Sequence, residues 1–363
     1  MLSDNDFTAK LLDWFDKRGL VLPWRGADAY RIWLSEVMLQ QTQIATVIPY
    51  YERFTAAYPT VEALAAAPLD DVLKLWEGLG YYSRARSLHH TAKIVAALGG
   101  FPRTVEGLMQ LKGVGRYTAG AVASMAFNVR TPALDGNGIR VLTRLYDLSD
   151  DVTRSKTQAK LWSIAESLVP AERPGDFNQA LMQLGQRICL PNAPRCIECP
   201  VRTHCQAHAR GTQSQRPHKP LKGAVPHYDV AAGLVYNDAG QLLIAQRRAE
   251  GLLGGLWEFP GGKQEAGETL PQTLQRELRE ELAIEVEVGE LFCVVRHAFT
   301  HFKITLHTFE CRYLHPTSPY DAPQAVGCQQ WAWVHEADLA QYAFGKADRM
   351  VIAELAARHH KLL

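Results

Sequence analysis

The stretch Leu111-Lys-Gly-Val-Gly-Arg-Tyr-Thr118 interrupts a long run of helical periodicity in the first half of the chain. Its flanks, TVEGLMQL before it and YTAGAVASMAF after it, repeat apolar residues at the i, i+3, i+4 spacing of amphipathic helices. Gly113 and Gly115 allow a tight turn between these helices. The free backbone N–H groups of that turn and of the following helix N-terminus can bind a phosphate. Many turns between helices contain such a pair of glycines, so the hairpin alone leaves the function open.

Outward from this hairpin the chain changes character once. Residues 1–205 keep the helical period, which predicts an all-α domain in which the stretch from Ile32 to Tyr58 forms one continuous helix. Residues 206–227 are polar, basic and rich in proline and glycine, as interdomain linkers are. Residues 228–363 combine strand-like segments such as VAAGLVY with one clear helix at about Leu270 to Leu282. The sequence therefore predicts a multidomain protein, with an all-α domain, a linker and an α+β domain.

Composition excludes some classes of protein. The 363 residues exceed the size at which a single hydrophobic core usually stops growing, and their 47% hydrophobic and 21% charged content is that of a globular protein. No apolar run approaches the length of a membrane span, and the acidic N-terminus does not resemble a secretory signal. We expect a cytoplasmic monomer. The net charge of +1 neither indicates nor excludes nucleic-acid binding, which depends on local basic faces.

Four of the seven cysteines are clustered as Cys189-x6-Cys196-x2-Cys199-x5-Cys205. They follow a predicted helix and lie in a loop that contains prolines, so four thiolates can converge on one centre. Such spacing does not suit the scattered cysteines of a secreted disulfide framework. It predicts an iron–sulfur or a structural zinc site.

Two carboxyl groups of the first domain stand out. Asp135, in ALDGNGIRVLTR, directly precedes a predicted helix, where an aspartate is more often an N-cap than a catalyst. Glu36 lies among apolar helical neighbours, which predicts burial and a raised pKa, the property that a general acid needs at neutral pH. Cleavage of a glycosidic bond uses one protonated and one ionised carboxyl group, so two carboxyls in different environments suit that chemistry.

These segments resemble a known family. The hairpin followed by Asp135 is similar to that of helix-hairpin-helix DNA glycosylases, and Trp33-Leu-Ser-Glu-Val-Met-Leu-Gln-Gln-Thr-Gln43 resembles the signature of MutY-type adenine DNA glycosylases. LPWR at 22–25, EGLGYYSRAR at 77–86 and FNQALMQLG at 177–185 extend the resemblance over the whole first domain. It implies removal of adenine mispaired with 8-oxoguanine, or with guanine, from double-stranded DNA. It also implies a [4Fe–4S] cluster on the four cysteines, with zinc as the alternative.

The resemblance also implies residue roles. Glu36 would protonate adenine N7 and later activate water, Asp135 would stabilise the sugar cation or attack it, and Asn137 would support them. Tyr117 stands where bifunctional relatives have the lysine of a Schiff base, which implies a monofunctional enzyme. Contacts to DNA or to the flipped adenine are implied for Trp24, Arg25, Gln41, Tyr81, Gly113, Gly115 and Gln179. Gly138 departs from the branched aliphatic residue that the family usually has after DGN.

The second domain contains a further motif. Its stretch Gly262-x5-Glu268-x7-Arg276-Glu277-Leu278-x-Glu280-Glu281-x-Ala283-Ile284 matches the Nudix box except at Ala283, where the box has glycine. Glu277, Glu280 and Glu281 fall within about one helical turn, so their carboxylates can hold Mg²⁺ or Mn²⁺ against a diphosphate. The alternative is a solvated acidic helix surface.

MutY-type proteins resemble this arrangement, because they end in a Nudix-like domain that recognises 8-oxoguanine but normally lacks the box. The stretch His297-Ala-Phe-Thr-His-Phe302 resembles their lesion-probing F-S-H segment, with Thr300 in place of serine and His301 retained. Threonine keeps a hydroxyl group that can donate and accept.

Three functions follow in order of preference. The first is a monofunctional adenine glycosylase with a lesion-reading domain, which could also retain Nudix hydrolysis. The second is a Nudix pyrophosphatase with an 8-oxo-dGTP-like substrate, fused to a helical DNA-binding domain. The third, a non-enzymatic mismatch-binding or redox-sensing protein, is disfavoured by the intact carboxylates in both domains.

Overall fold

The computed structural model describes residues 4–220, 223–314 and 322–361. The chain divides into two compact units, each made of two separate stretches of sequence. The helical unit comprises Met1–Ala66 and Ser87–Lys222, and the mixed unit comprises Ala67–Arg86 and Gly223–Leu363. None of the described helices is long and apolar enough to cross a membrane.

The helices account for most of the first half of the chain. In chain order they are α1 (Asp4–Arg18), α2 (Ala29–Leu39), α3 (Ile44–Ala57), α4 (Val61–Ala66), α5 (Leu69–Leu75), α6 (Tyr82–Ala97), α7 (Val105–Met109), α8 (Arg116–Phe127), α9 (Gly136–Leu145), α10 (Ser155–Leu168), α11 (Pro174–Arg187), α12 (Gln206–Arg210), α13 (Leu270–Leu282) and α14 (Lys346–Lys361). Short 3₁₀ turns occupy Cys196–Glu198, Arg202–His204, Gln213–Gln215 and Glu336–Gln341.

The strands all belong to the second half. They are β1 (His227–Tyr236), β2 (Leu242–Gln246), β3 (Trp257–Glu258), β4 (Gly261–Lys263), β5 (Val286–Ala298), β6 (Lys303–Tyr313) and β7 (Gln330–Val334).

The predicted continuous helix from Ile32 to Tyr58 is wrong in one respect, because it consists of two helices, α2 and α3. Gln41, between them, adopts a left-handed conformation with φ 56°, which no residue inside a right-handed helix can take. Gln43 then starts α3 from an extended conformation. The apolar period continues across this break, so periodicity alone does not reveal it.

The core of the helical unit forms around α9 and α11, which pack on each other and, in turn, on α10 and α1. Its apolar cluster includes Phe7, Leu142 and Phe177, all of them fully buried or nearly so. Helix α11 begins with Pro174, whose fixed φ suits the first turn of a helix. Helix α9 begins after the N-cap Asp135. The most firmly packed part of this unit therefore carries one of the two predicted catalytic carboxyls.

The predicted linker, residues 206–227, is partly regular structure. It contains α12, which ends at Gly211 in a left-handed conformation, and the C=O of His218 accepts a hydrogen bond from the N–H of Val152. Residues up to 220 thus continue the helical unit, while Leu221 and Lys222 lie outside the described residues. The polar composition of this segment is typical of a linker. Its backbone nevertheless makes a helix and a long-range hydrogen bond, which cannot be predicted from composition.

In the described part of the mixed unit the strands form one seven-stranded sheet. Its central path runs β3-β2-β1-β6-β5, with β1 and β6 parallel, β4 paired to β1 and β7 paired to β2. Alternate side chains point to opposite faces. One face packs on α13 through Leu274 and Leu278, and the other packs on α14 through Val351 and Leu355. This arrangement confirms the α+β fold that the sequence predicts for the second domain.

The segment Ala67–Arg86 belongs to the mixed unit although it lies in the first half of the chain. Lys74 Nζ donates to the C=O of Tyr342 at 2.8 Å, and Glu77 Oε1 accepts from the N–H of Phe344 at 3.0 Å. Leu73 is fully buried, and its side chain lies close to Gly255. The predicted boundaries at 205 and 228 stay a prediction, since the compact units follow contacts rather than sequence order.

The helix predicted at Leu270 to Leu282 is confirmed as α13. It starts with a capping box formed by Thr269 and Gln272. A further helix after residue 228, α14, was not predicted, because the prediction named only one clear helix in that stretch. Its apolar residues do repeat with a helical period, so the signal was present in AFGKADRMVIAELAAR.

Ala283, the one mismatch to the Nudix box, ends α13 in a left-handed conformation with φ 54° and ψ 38°. An alanine there is strained and a glycine is not. We predict that Ala283→Gly raises the free energy of unfolding of the mixed unit by about 0.5–1 kcal/mol, the strain relief being reduced by the greater freedom of glycine in the unfolded chain.

Urea unfolding followed by circular dichroism measures this change. The matched control is Ala356→Gly at an exposed position inside α14, which we expect to cost about 1 kcal/mol. A loss of stability in both variants would contradict the assignment of strain to Ala283.

Candidate active site

Glu36 lies on α2 and is 3% exposed. Its helix begins at the N-cap Asp28, whose side chain accepts from the N–H of Arg31. Ile32, Trp33 and most of the other residues of α2 are buried as well. The burial predicted for Glu36 is therefore observed, and its carboxyl group is withdrawn from water.

Tyr117, in the first turn of α8, is the hydrogen-bond partner of Glu36. Its Oη–H donates to Glu36 Oε2 at 2.5 Å, and Met182 Sδ lies 3.6 Å from the same hydroxyl. Burial raises the pKa of Glu36 to about 7, the hydrogen bond from Tyr117 lowers it, and the charge of Asp135 raises it further. At neutral pH a carboxyl with this pKa can both give and take a proton.

Asp135 caps α9. Its Oδ1 accepts the N–H of Gly138 at 2.7 Å, and its Oδ2 accepts Asn137 Nδ2 at 2.6 Å. Burial raises the pKa of Asp135, while these donors oppose the rise because they stabilise the charged form. With two described donors against the single donor on Glu36, Asp135 is the better anion of the pair.

Gly138 departs from the family pattern at a crowded position. A Cβ added there would lie 2.8 Å from Leu134 Cδ1 and 3.4 Å from Leu181 Cδ2. In this chain Leu134 and Leu181 fill the space that a branched residue would need. The N–H of Gly138 still reaches Asp135, so the departure leaves the cap intact.

Arg140, which the sequence analysis did not single out, ties these groups together. Its Nη2 donates to Asn137 Oδ1 and to the C=O of Gly185, both at 2.8 Å, and its Nε donates to the C=O of Cys189 at 2.7 Å. Gly185 also lies against Asn137, since a Cβ on it would be 2.7 Å from Asn137 Cβ. The only sequence signal for Arg140 is its position one turn after Asn137 on α9.

The predicted catalytic residues share one open cavity of about 980 Å³. It is lined by Glu36, Gln41, Tyr117, Asp135 and Asn137, together with other residues. The structure thus brings together all four predicted catalytic residues and one predicted DNA contact.

Three other predicted contact residues line a separate cavity of the same unit. Trp24, Arg25 and Gln179 surround a space of about 240 Å³. Trp24 is 4% exposed, and the Arg25 guanidinium stacks 4.3 Å above the ring of Phe15. The structure does not bring these three residues into the cavity of Glu36.

The hairpin glycines have different surroundings. Gly113 has φ 79°, a conformation that favours glycine, and a Cβ on it would lie 2.9 Å from Ser87 Cβ. Gly115 precedes α8 as its N-cap in an extended conformation, and a Cβ on it would meet nothing within 4 Å. Gly113 is thus required by the turn, whereas Gly115 leaves the N-terminus of α8 open to a ligand.

The four clustered cysteines are not joined by disulfides, and all four line one small cavity of about 30 Å³. Arg144, 2% exposed, reaches into the same loop. It donates to the C=O groups of Leu190 and Pro191 at 2.6 and 2.9 Å, and its Nη1 lies 3.4 Å from Cys189 Sγ. Across the described residues, no group of three or more His, Cys, Asp or Glu side chains is arranged to hold a single metal ion.

In the mixed unit, two residues predicted to read the lesion are in direct contact. Tyr81 Oη and Thr300 Oγ1 are 2.7 Å apart. Tyr81 has a left-handed backbone with φ 51°, which directs an exposed aromatic side chain outward from a turn. Tyr81, Thr300 and His301 line a cavity of about 760 Å³.

The Nudix-box side chains are engaged with one another. Arg276 pairs with Glu268, Glu277 and Glu280 at 2.7, 2.9 and 3.2 Å. Glu281 Oε2 is buried without a hydrogen-bond partner, and burial together with the charges of nearby carboxylates, first Glu258, raises the pKa of Glu281 to about 7.

Glu258, a buried carboxyl beside Glu281, was not singled out from the sequence. It pairs with Arg247 at 2.5 Å. Gly262 of the box lies directly against Glu277, because a Cβ on Gly262 would overlap its carboxylate. The glycine of the motif is thus explained by close packing.

Comparison with known proteins covers both units. Residues 34–167 match the HhH-GPD superfamily of base excision DNA repair proteins, and residues 231–354 match the NUDIX domain family. The adenine DNA glycosylase of Rattus norvegicus is 40% identical over 359 residues, which cover 84% of this chain and 70% of the relative. The adenine DNA glycosylase of Schizosaccharomyces pombe is 30% identical over 404 aligned positions, which cover 92% of this chain and 86% of the relative.

Solved structures resemble the first half. A thermostable thymine-DNA glycosylase has a TM-score of 0.53 at 29% identity, covering 57% of this chain and 97% of that chain. An endonuclease III in complex with DNA has a TM-score of 0.50 at 24% identity, covering 59% and 100%, and this likeness concerns the fold alone. The predicted fold class, a helix-hairpin-helix domain followed by a Nudix-like domain, is confirmed.

The raised pKa of Glu36 makes a prediction about stability. Because its pKa is about 7 in the folded chain and 4.5 ordinarily, the folded state binds the extra proton between these values. The contribution of Glu36 to stability is therefore greatest below pH 4.5 and is lost as the pH rises through 7. The side chain introduced by Glu36→Gln cannot ionise, so this variant does not lose the contribution. We predict that the free energy of unfolding of Glu36→Gln, relative to that of the wild type, rises by about 3 kcal/mol between pH 4.5 and pH 8.

Urea unfolding of the helical unit at several pH values measures this difference. Glu166→Gln makes the same chemical change at an exposed position on α10 and should show no such trend. A difference between Glu36→Gln and wild type that does not change with pH would contradict the raised pKa.

Proposed function

Because this chain belongs to the adenine DNA glycosylases, which are DNA N-glycosylases and hydrolases, we propose that it hydrolyses the N-glycosidic bond of adenine paired with 8-oxoguanine, or with guanine, in double-stranded DNA. The observation that carries the proposal is the cavity in which Glu36, hydrogen-bonded to Tyr117, faces the same space as Asp135. The cytoplasmic location and the monomeric state stay predictions.

The chemistry divides between the two carboxyls. Glu36, protonated in part at neutral pH, gives its proton to N7 of adenine, which makes the base a better leaving group. The bond from C1′ of the sugar to N9 of adenine then breaks, and its electron pair leaves with the base. Asp135, held as an anion by Gly138 and Asn137, stabilises the cationic sugar or bonds to C1′. Glu36, now ionised, takes a proton from the water that attacks C1′; where Asp135 has bonded to C1′, that bond breaks as the water bonds, and its electron pair returns to the carboxylate.

Tyr117 supports this cycle without entering it. Its hydroxyl donates to Glu36, so it stabilises the carboxylate that remains after the proton has left. A phenol cannot form the Schiff base that a lysine would form at this position. The enzyme is therefore monofunctional and leaves the strand uncut.

The adenine must leave the helical stack before Glu36 can reach it. The contacts of Trp24, Arg25 and Gln179 with the extruded nucleotide stay a prediction, because these residues line a cavity separate from that of Glu36 and Trp24 is 4% exposed. Gln41, at the edge of the catalytic cavity of the helical unit, inserts into the base stack beside the extruded nucleotide. Tyr81 is a DNA contact of the mixed unit. Both have left-handed backbones that project a side chain from a turn.

The opposite base is read by the mixed unit. 8-Oxoguanine differs from guanine in carrying a hydrogen on N7 and an oxygen on C8, so a hydroxyl group can accept from N7–H and donate to O8 at once, whereas guanine offers it only the acceptor N7. Thr300 provides such a hydroxyl, oriented by Tyr81 at 2.7 Å, and His301 follows it. The methyl group of threonine leaves this contact in place.

The four cysteines fit a [4Fe–4S] cluster. Their thiols surround one cavity rather than forming disulfides, and an all-sulfur donor set is the one that iron–sulfur clusters use. Cys189, Cys196, Cys199 and Cys205 would hold it. A bound cluster would cross-link the turns that carry these cysteines; in the same loop Arg140 Nε donates to the C=O of Cys189.

We predict that Glu36→Gln and Asp135→Asn each lower the single-turnover rate of adenine release about 10²–10⁴-fold, because each removes an acid or a charge while keeping its shape. The measurement uses a duplex with one A:8-oxoguanine pair, in parallel with A:G and A:T duplexes and with affinity measured by fluorescence anisotropy. Affinity should persist in both variants.

Glu166→Gln, an exposed change on α10, should keep the wild-type rate. Wild-type protein that released no adenine from the A:8-oxoguanine duplex would refute the proposed substrate. Near-normal rates in either variant would refute only the assignment of the carboxyls.

A second candidate activity is metal-dependent hydrolysis of a nucleoside triphosphate such as 8-oxo-dGTP at the Nudix box. The favouring observation is Glu281 Oε2, which is buried without a partner beside Glu258 and Glu277. Mg²⁺ and Mn²⁺ bind to clustered carboxylates, although among the described residues these side chains are not arranged around a single ion. Because Arg276 already neutralises Glu277 and Glu280, an ion must compete with these pairs.

We predict that the wild type, given Mg²⁺ or Mn²⁺, converts 8-oxo-dGTP and water to the monophosphate and pyrophosphate, and that Glu281→Gln loses this activity. Chromatography of the nucleotides measures the products. Glu287→Gln, an exposed change on β5, is the control and should behave as wild type. Equal background rates in all three proteins would show that the box is structural.

A further inference from the structure

One buried amide on α11 has no part in the chemistry described above. Asn178 is 1% exposed, and its side chain makes three hydrogen bonds. Its Oδ1 accepts the N–H of Ala133 at 3.0 Å, and its Nδ2 donates to the C=O of Thr131 and to Ser124 Oγ, both at 2.9 Å. Both donors of the amide are therefore used. A fully buried amide with three partners holds them in fixed positions.

Two of these partners belong to the irregular segment 129–134, which links α8 to α9 and has no helix or strand of its own. The bonds to Thr131 and Ala133 follow the pattern by which one edge of a strand bonds its neighbour, so the side chain of Asn178 replaces a neighbouring strand. The opposite side of the segment presses on α8, since a Cβ on Gly120 would lie 2.2 Å from the C=O of Pro132. The segment is thus clamped between α8 and α11.

Asp135 directly follows this segment. Its carboxylate is oriented by Gly138 and Asn137, which move with α9. Glu36, by contrast, is on α2 and is bonded to Tyr117 of α8. The position of Asp135 relative to Glu36 therefore depends on how the segment joins α8 to α9, as well as on the packing of α9 against α11.

We propose that Asn178 is a positioning residue for Asp135, acting through Thr131 and Ala133. The proposal rests on the proposed glycosylase chemistry, in which Asp135 stabilises a sugar cation. A displacement of a reacting group by about 1 Å can cost about 100-fold in rate. Loss of the clamp should therefore weaken the interaction with the cation rather than the binding of DNA.

The test compares wild type with Asn178→Leu, which is similar in size and lacks all three hydrogen bonds, and with Asn178→Asp, which keeps the acceptor for Ala133. Two duplexes carry abasic-site analogues opposite 8-oxoguanine: a pyrrolidine, which is cationic at neutral pH, and a tetrahydrofuran, which is neutral and of similar shape. The ratio of the two dissociation constants reports the contact of Asp135 with positive charge. Single-turnover adenine release is measured beside it.

We expect the wild type to bind the pyrrolidine duplex more tightly. Asn178→Leu should bring the two constants close to each other and slow adenine release about 100-fold, while the affinity for the tetrahydrofuran duplex is kept. If Asn178→Leu does not fold, Asn178→Asp carries the same comparison. Thr8→Val is the matched control, because it removes a buried hydrogen bond to the C=O of Leu168 elsewhere in the unit.

Thr8→Val should lose thermal stability and keep the wild-type ratio. A wild-type ratio in the Asn178 variants, or an equal fall in the ratio for Thr8→Val, would overturn the positioning role. A wild type that neither releases adenine nor prefers the pyrrolidine duplex would instead overturn the proposed function, and this inference with it.

Discussion

Two largely buried carboxyl groups that face one cavity are the constraint on which the helical unit is organised. Each raises the cost of charging the other, as the effect of Asp135 on the pKa of Glu36 shows. Besides burial, donors held at fixed positions help to give the two groups different charges. Tyr117 supplies one donor to Glu36, and the start of α9 supplies two to Asp135. Five helices, α2, α3, α8, α9 and α11, contribute lining residues to this cavity.

Arginine side chains of α9 connect the cysteine loop to the backbone beside the catalytic cavity. Arg140 holds Asn137 on one side and the C=O groups of Gly185 and Cys189 on the other. Arg144, one turn further along α9, holds the C=O groups that follow Cys189. Guanidinium groups suit this role because five N–H donors in a rigid plane can bind several carbonyls at once. A distortion of the loop would therefore reach Asn137 through a single side chain.

Much of the fold and of the candidate active site could be predicted from local sequence. The remaining features depend on tertiary contacts that have no signal in the spacing of residues. The burial of Glu36 and the N-cap position of Asp135 follow from helical periodicity and from capping preference, which are local properties. Arg140 and Asn178 act on backbone groups 45 to 49 positions away, and such side-chain-to-backbone bonds have no periodic signal. The break at Gln41 was missed because apolar spacing continues through it. The membership of residues 67–86 in the mixed unit depends entirely on the tertiary fold.

The assignment of residues 67–86 to the mixed unit affects how the protein can be divided into fragments. The chain passes between the units after residues 66, 86 and 222, so three covalent crossings join them, and cleavage in the segment 206–227 severs only one connection. A gene truncated before residue 223 would still encode α5 and Trp76, but none of the later strands and loops that bury Leu73 and bond Lys74 and Glu77. Isolation of the helical unit therefore requires redesign of the internal segment 67–86, and the choice of a new C-terminus is not enough.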